Sequence, residues 1–388
     1  MSRLDTILND LTKKYGGVVE TGIEKMDYDR IPFSSPRLNY MTFGGLPLGH
    51  IHQFSGPEGS GKTTTTFDVI KNAQIKFRKE YEDKIKDKDV VQNKDGTYTD
   101  KNGNIVTERK VVFVDVEGTF DYTWANKFGV DTTKVIRLKM AGWPASDVLN
   151  ALLEVLKDPE VGLAVLDSVA AMPADQLADK SVGDKIYGGI ALPMQNFCNQ
   201  AKRPLVENNS MVIFINQVRD NLGSMFGGTT TPGGRGFRHA CSTWLEFRKG
   251  KFIDDNNKEL TSGAENPAGN LINVVVIKSK VFPSTRRVGY YTIKYVTGPD
   301  LMNDYIEVGL QVGVINQRGA FFDVIDPSTG ELLNEGKIQG KVALREQLEQ
   351  HKEWLDLIDK EVNTKDVEEI VDEETLAQAN QQVANNKE

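Results

Sequence analysis

Residues 56–63 of the 388-residue chain read GPEGSGKT, and this glycine-rich segment constrains the fold more than any other. An apolar stretch ending at Phe54 precedes it, and a helical pattern begins near Lys62. The three glycines permit backbone angles that let a row of N–H groups surround phosphate oxygens at a helix N-terminus. The pattern predicts a phosphate-binding loop between a strand and a helix, and the alternative is a glycine turn that opens an ordinary helix.

The residue types in this loop define a nucleotide site. Lys62 would reach the β- and γ-phosphates of a nucleoside triphosphate, and the Thr63 hydroxyl would hold Mg²⁺. The predicted contacts to ATP in this segment are Gly56, Pro57, Glu58, Gly59, Ser60, Gly61, Lys62, Thr63 and Thr64.

Composition excludes several classes of protein. The formal net charge of −8 argues against a uniformly basic nucleic-acid binder but leaves room for a local basic groove. No apolar run approaches the roughly 18 residues of a membrane helix, and the N-terminus lacks the layout of a signal peptide, so we expect a cytoplasmic protein. Cys198 and Cys241 lack metal-ligand spacing and are expected to be small buried hydrophobes.

Three short apolar runs predict buried parallel strands: VVFVD (111–115), GLAVLD (162–167) and MVIFINQ (211–217). Ligands in such sheets lie outside the carboxyl ends of the strands, where Glu117, Asp167 and Gln217 fall. Asp167 would orient the water shell of Mg²⁺, and Glu117 would polarise a water for attack on the γ-phosphate. Gln217 would sense the γ-phosphate. The alternatives are that Glu117 is a surface glutamate in a turn and that Asp167 and Gln217 are ordinary polar residues at strand ends.

The loop after Gln217 reads RDNLGSMFGGTTTPGGRGFRHA, which combines glycines, arginines and apolar side chains with a single acid. Mobile backbone, cations and apolar wedges suit single-stranded nucleic acid. A flexible lid over the nucleotide accounts for the composition equally well.

We predict four segments along the chain. An amphipathic N-terminal helix and linker (1–34) is too small to bury its own apolar face and would serve oligomerisation. The nucleotide-binding core (35–298) carries an inserted polar segment (79–109), which is either a surface hairpin or meander or a disordered loop. A small C-terminal region (299–362) would end in one helix around 342–362, and an acidic tail without fixed structure (363–388) follows.

In order, the motifs GGLPLGHIHQFSGPEGSGKTT, VDVEGTFD, VLDSVAAM, FINQVRDNLGSMFG and VVVIKSKV resemble those of the bacterial RecA recombinase family, and most of all a phage-encoded member. The resemblance runs from the N-terminal helix to about Leu357. It implies an α/β fold with a RecA-type P-loop core, in which a mostly parallel central sheet is flanked by helices. It also implies an ATPase, dependent on DNA and Mg²⁺, that forms a helical filament on single-stranded DNA and exchanges strands with a homologous duplex in recombination and repair.

The resemblance also implies roles for single residues. Glu117, Lys62 and Gln217 would act in ATP hydrolysis, with Lys278 and Lys280 reaching the γ-phosphate of a neighbouring subunit. Without the family resemblance, the sequence would favour an interpretation of these two lysines as solvated cations beside a strand. Asp121, Trp124 and Tyr295 would hold the adenine and ribose. The implied DNA contacts are Lys185, Tyr187, Arg219, Leu222, Phe226, Arg235 and Arg238.

Some positions depart from the family pattern. Residues that are often arginine in relatives read Leu192 and Asn199, and basic residues before the lysine pair read Asn273 and Val275. The first departure implies that some phosphate contacts move, to Lys185, Lys202 or Arg203. The second weakens the expectation of a secondary site for double-stranded DNA. Single-strand-binding and loader proteins are further partners that the family suggests, and no membrane partner is expected. A ring-forming motor of the helicase type and a recombination mediator without strand exchange remain the competing hypotheses.

Overall fold

The computed structural model describes residues 3–15, 28–177, 189–220, 229–283 and 285–368. The helices in these ranges are α1 (Arg3–Tyr15), α2 (Pro36–Thr42), α3 (Lys62–Ile85), α4 (Tyr122–Lys127), α5 (Ala145–Leu156), α6 (Ala191–Glu207), α7 (Gly234–Ala240), α8 (Leu301–Val312), α9 (Gly340–Gln350) and α10 (Lys352–Glu368). Within those same ranges, none of the helices is both long enough and apolar enough to cross a membrane.

The strands fall into one large sheet and several small ones. They are β1 (Arg30–Ile31), β2 (Leu46–Pro47), β3 (Ile51–Gly56), β4 (Val91–Gln92), β5 (Tyr98–Thr99), β6 (Ile105–Val106), β7 (Lys110–Asp115), β8 (Val135–Lys139), β9 (Val161–Asp167), β10 (Met211–Gln217), β11 (Arg219–Asp220), β12 (Thr229–Thr230), β13 (Thr243–Ile253), β14 (Gly269–Ser279), β15 (Val288–Lys294), β16 (Gly298–Pro299), β17 (Ile315–Arg318), β18 (Phe321–Val324) and β19 (Ile338–Gln339).

The large sheet has nine strands in the order β16-β15-β14-β13-β3-β10-β9-β7-β8. The strands from β13 to β8 run parallel to their neighbours, and β14, β15 and β16 extend the sheet by antiparallel pairing. This arrangement confirms the predicted α/β core, including the three apolar strands. Because β3, β10, β9 and β7 are adjacent and parallel, their carboxyl ends meet at one edge.

Helices cover both faces of the sheet, which explains why its parallel strands are apolar on both sides. On one face α3 buries Phe67, Ile70 and Phe77 against the strands. On the other, α5 packs through a stripe of residues at helical spacing, and α6 and α7 lie beside it. Cys198 and Cys241 are buried on this second face, as expected.

The inserted segment is folded. After α3 ends at Ile85, strands β4, β5 and β6 form a three-stranded antiparallel meander. The turns contain Gly96 and Gly103, both with positive φ, which is the backbone conformation that Asn-Gly and Asp-Gly turns supply. The meander prediction is confirmed, and the disordered alternative is wrong for this segment.

The C-terminal region has its own core, built from α8, α9, α10 and the sheet β17-β18-β19. The prediction of one helix around 342–362 is wrong, because the chain leaves helical geometry at His351 (φ −110°, ψ 77°). Leu348 and Trp354 are six positions apart, so a continuous helix would direct them to different faces. The break brings both side chains into the same core.

Candidate nucleotide site and nucleic-acid interface

The phosphate-binding loop joins β3 to α3 at the carboxyl edge of the sheet. Gly61 occupies the N-cap of α3 with φ +92°, and no side chain caps the helix. The first N–H groups of α3 therefore remain available to an anion. A Cβ on Gly56 would lie 2.2 Å from the Phe247 carbonyl oxygen, so the close approach of β13 also requires glycine there.

Lys62 folds back over this loop. Its Nζ donates to the carbonyl oxygens of Gly56 at 2.9 Å and Pro57 at 2.6 Å. Burial lowers the pKa of Lys62, while the nearby carboxylates of Asp167 and Glu117 act in the opposite direction. Ser60 Oγ is buried without a hydrogen-bond partner in the described part of the chain. A loop with open amides, an unpartnered hydroxyl and a buried ammonium fits a bound phosphate chain.

The predicted magnesium ligands are in contact. Thr63 Oγ1 donates to Asp167 Oδ2 at 3.0 Å. Burial, and then the nearby charge of Glu117, raise the pKa of Asp167 to about 7. A hydroxyl beside one carboxylate fits Mg²⁺, which proteins usually bind through one or two carboxylates together with substrate phosphates and water.

Glu117 lies just beyond β7 on an exposed turn that two neighbouring groups organise. Asp115 accepts from the backbone N–H groups of Gly118 at 2.7 Å and Thr119 at 3.2 Å, which fixes the turn. Ser168 Oγ donates to Glu117 Oε1 at 2.5 Å. The carboxylate is therefore held in one direction although it is exposed to solvent.

Gln217 ends β10 on the same edge. Its Nε2 donates to Glu117 Oε1 at 3.4 Å. The preceding residue, Asn216, donates through its side chain to the Pro232 carbonyl oxygen at 3.0 Å. The end of β10 thus contacts both the candidate base and the segment that follows β12.

The residues expected around the adenine and ribose of ATP fall into two groups. The Trp124 indole N–H donates to Thr64 Oγ1 at 3.1 Å, so this aromatic ring is tied to α3. Asp121 caps the N-terminus of α4 by accepting from the Trp124 backbone N–H at 2.9 Å. Tyr295 lies at the end of β15, where its hydroxyl donates to Asn270 Oδ1 at 2.9 Å.

The predicted DNA contacts fall in two loops, the first at 178–189 and the second at 219–239, and the described residues at their flanks border one groove. Its lining includes Ala170 and Gly189 at the first loop and Arg219 and Thr231 at the second. Arg219 donates to the Ala170 carbonyl oxygen at 3.4 Å, whereas Arg235 on α7 is exposed. The predicted contacts Lys185, Tyr187, Leu222 and Phe226 lie outside the described residues.

Lys278 of β14 and Lys280, just beyond that strand, contact the C-terminal end of α7. Lys278 Nζ donates to the carbonyl oxygens of Arg238 at 2.5 Å and His239 at 3.0 Å, and Lys280 Nζ donates to that of His239 at 2.5 Å. Cations are favourable at a helix C-terminus, so both lysines stabilise α7 within the subunit. Burial and the charge of Lys280 lower the pKa of Lys278.

Sequence reasoning missed the supporting groups Asp115 and Ser168. Both stand inside motifs that were recognised, VDVEGTFD and VLDS. Their contacts depend on β7 lying beside β9, and only the strand order supplies that information. An aspartate two residues before a functional carboxylate, at a strand end, was the available signal.

Together, the fold and site define an α/β P-loop protein with a carboxylate and a glutamine at the carboxyl ends of neighbouring parallel strands, and with two lysines at the opposite edge of the sheet. The family model described as "RecA N-terminal domain" matches residues 99–299, just over half of the chain. The chain belongs to the RecA family, as its motifs predicted. Family membership places it among ATP-binding and DNA-binding proteins of recombination and repair.

The chain is also similar to individual proteins. The chain is 29% identical over 366 residues to "Protein RecA" of Aquifex aeolicus, an alignment that covers 92% of this chain and 91% of the relative. It is 29% identical over 353 residues to "Protein RecA" of Bartonella quintana, covering 89% and 88% of the two chains. Among solved structures, a RadB recombinase crystal structure is similar with a TM-score of 0.46 at 17% identity, covering 69% of this chain and 98% of the other.

Proposed function

We propose that this protein is a DNA-dependent ATPase that assembles as a helical filament on single-stranded DNA and exchanges strands with a homologous duplex. The observation that carries the proposal is the position of Gln217. Its side chain contacts Glu117, and two residues later the chain enters β11 and the arginine-containing loop. A single side chain therefore lies between the candidate ATPase site and the candidate DNA surface.

Hydrolysis rests on the groups at the carboxyl edge. Glu117, oriented by Ser168, is the general base that takes a proton from the attacking water. Lys62 offsets negative charge on the phosphates once it leaves the loop carbonyls. Thr63 and Asp167 would hold Mg²⁺, which would supply further positive charge beside the phosphates. A nearby cation favours the charged form of Asp167, so cation binding would lower the raised pKa of this carboxyl.

The base side of the nucleotide is assigned to the aromatic residues near α3 and β15. Trp124 presents its ring beside Thr64, and Asp121 fixes the first turn of the helix that carries it. Tyr295, which directly follows β15, would pack on the adenine. This assignment follows the family positions.

Lys278 and Lys280 act across a subunit interface in this proposal. A neighbour's γ-phosphate would compete with the α7 carbonyl oxygens for their ammonium groups. Engagement in trans would make hydrolysis depend on filament assembly, as an arginine finger does in other ATPases.

Single-stranded DNA would lie along the groove between the two loops, which Arg219 lines. Arg235 and Arg238 of the adjoining α7 would supply further cations for phosphates. Lys185, Tyr187, Leu222 and Phe226 complete this surface by family position. Double-stranded DNA is the secondary ligand. The exposed cations Arg248 and Lys249 on β13 lie beside Asn273, one of the positions where relatives carry a basic residue.

The test is the rate of ATP hydrolysis with and without single-stranded DNA at constant Mg²⁺. The proposal expects stimulation of about tenfold or more, since the two sites are coupled through Gln217. Hydrolysis that is indifferent to DNA would overturn it and would favour a ring motor or a mediator.

A further inference from the structure

A polar layer lies beneath α7, on the sheet face opposite α3. It contains Gln53 and Ser55 of β3, Trp244 of β13 and Lys278 of β14. In the sheet register Trp244 is paired with Gln53 on one side and with Lys278 on the other, and paired residues point to the same face. Phe237 of α7 packs against the apolar part of this face. Gln53 and Ser55 are buried in this layer, whereas Trp244 and Lys278 are partly exposed.

Trp244 links the two ends of this layer. Its indole N–H donates to Ser55 Oγ at 2.6 Å, and the buried Ser55 directly precedes Gly56, the first residue of the phosphate-binding loop. On the other side, the Arg238 guanidinium carbon lies 5.9 Å from the centroid of the Trp244 ring. Arg238 Nη2 in turn donates to Thr230 Oγ1 at 2.6 Å, in the strand that closes the candidate DNA loop.

The backbone at Trp244 is irregular. The pairing of β13 with β14 shifts register between Trp244 and Leu245. Such irregularities redirect a side chain and are frequent beside functional sites. Here the shift falls where β13 is also paired with β3, next to the phosphate-binding loop.

Several polar atoms around the layer have no hydrogen-bond partner in the described part of the chain. They are both amide atoms of Gln53, the hydroxyl of Thr231 and Nε of Arg238, and all are buried. Buried polar atoms are nearly always paired in a settled arrangement. Water or a rearrangement of the layer would supply these partners.

We propose that Trp244 is a positioning residue that transmits the state of the DNA loop to the phosphate-binding loop of the same subunit. The route is Thr230, Arg238, Trp244 and Ser55. Movement of the loop on DNA binding displaces Arg238, and Trp244 passes that displacement to Ser55 and so to the start of the phosphate-binding loop. The inference rests on the proposed DNA-dependent ATPase and adds a route within one subunit, distinct from the Gln217 contact.

The test uses the full-length variants Trp244→Phe, which loses only the indole N–H and part of the ring, and Ser55→Ala, which loses only the hydroxyl. ATP hydrolysis is measured with and without a single-stranded oligonucleotide, as kcat and KM. Each variant is expected to lose about five- to tenfold of the DNA stimulation of kcat, the size of one net hydrogen bond. The double variant should lose no more than either single variant, because both remove the same contact.

The control is Trp354→Phe, a change in the separate C-terminal core, which should retain the stimulation of the natural protein. Full stimulation in both test variants, or losses that multiply in the double variant, would overturn the inference. So would an equal loss with and without DNA, which is the outcome of a purely structural role. If Trp244→Phe does not fold, Ser55→Ala decides alone.

Failure of the proposed function is distinguishable from failure of this inference. A natural protein that DNA does not stimulate overturns both, whereas a stimulated natural protein with unaffected variants overturns the inference alone. Tryptophan fluorescence gives a second readout. With ATP present, the oligonucleotide should change the emission of the natural protein and of Trp354→Phe but not of Trp244→Phe, and an undiminished change in Trp244→Phe contradicts the role.

Discussion

Glu117 illustrates how neighbouring groups give one exposed side chain a defined direction. Asp115 ties the turn through backbone N–H groups, and the Arg137 guanidinium in turn donates to Asp115. Ser168 approaches from the adjacent strand and donates to the carboxylate itself. The candidate base therefore depends on three strands, β7, β8 and β9, for its orientation.

Replacing Glu117 with glutamine should reduce ATP turnover about a hundredfold or more while leaving nucleotide and DNA binding nearly intact. Glutamine keeps the size and hydrogen-bonding capacity of the side chain but cannot accept the proton from water. Steady-state hydrolysis and equilibrium binding measure the two effects. Glu154→Gln, on the exposed face of α5, is the control. Turnover within a few fold of the natural protein would locate the base elsewhere.

Asp167 makes stability dependent on pH. Its pKa is about 7 in the folded protein, against the ordinary value of 3.8, so the folded state binds more protons between these two values. The unfolding free energy of the nucleotide-free protein therefore falls as pH rises from about 4 to 7. Asp167→Asn removes this penalty and should be more stable than the natural protein at pH 8 by on the order of 1 to 3 kcal/mol.

Thermal unfolding of both proteins at pH 5 and pH 8, without nucleotide or Mg²⁺, measures this effect. The advantage of Asp167→Asn should be larger at pH 8 than at pH 5. An advantage that does not change with pH, or that shrinks, would contradict the environment described for this carboxyl.

At this scale the sequence predicted the residues that carry a motif but not the residues that support them. Gly56 to Thr63 was recognisable because the chemistry depends on consecutive residues. Ser168, Ser55 and Trp244 were not, because each acts on a residue that is distant in the chain and adjacent only after the sheet has formed. The roles of Lys278 and Lys280 came from the family, since their local contacts are those of ordinary helix-capping lysines.

At the scale of elements, the apolar runs predicted the strands of the core and their parallel direction. The error came in the C-terminal region, where one predicted helix is two helices with different orientations. Leu348 and Trp354 are six positions apart, a spacing that does not fit one face of a helix. The apolar residues on either side of this pair fit a longer helical pattern, which hid the break. In the inserted segment, by contrast, the pairs Asp95-Gly96 and Asn102-Gly103 favoured a hairpin or meander, although they did not exclude a disordered loop. Local turn chemistry was informative because those turns are exposed and make few tertiary contacts.

Gly309 tests the packing of the C-terminal core. It lies on α8, and an added Cβ would come within 2.6 Å of Ile315 Cδ1 and 3.0 Å of Ile358 Cδ1. Gly309→Ala should therefore destabilise this region by about 1–3 kcal/mol despite the better helix propensity of alanine. Guanidinium unfolding measures the change, with the exposed α8 variant Gln311→Ala as control. Equal or greater stability in Gly309→Ala would show that the packing differs.

At the scale of the whole molecule, the N-terminal helix α1 exposes apolar side chains that another subunit could cover. Leu4, Ile7 and Leu11 on α1 are exposed in the single chain, at 61%, 47% and 38%. They form the apolar stripe of an amphipathic helix, and a stripe of this kind is normally buried against another surface. The N-terminal helix is thus suited to the oligomerisation role predicted for residues 1–34.

If Lys278 acts on a neighbour's nucleotide, its loss should affect subunits that are themselves intact. Lys278→Ala mixed with the natural protein should reduce hydrolysis by more than the fraction of variant added. Lys157→Ala, on the surface of α5, should lower activity by no more than dilution does. A strictly proportional decrease with Lys278→Ala would confine this lysine to its own subunit.

Electron microscopy of the samples used for the hydrolysis assay would show whether assembly on single-stranded DNA accompanies ATP hydrolysis. With ATP and single-stranded DNA, we expect long helical filaments in the samples whose hydrolysis is stimulated. Closed rings or single subunits, together with hydrolysis that does not respond to DNA, would contradict the account.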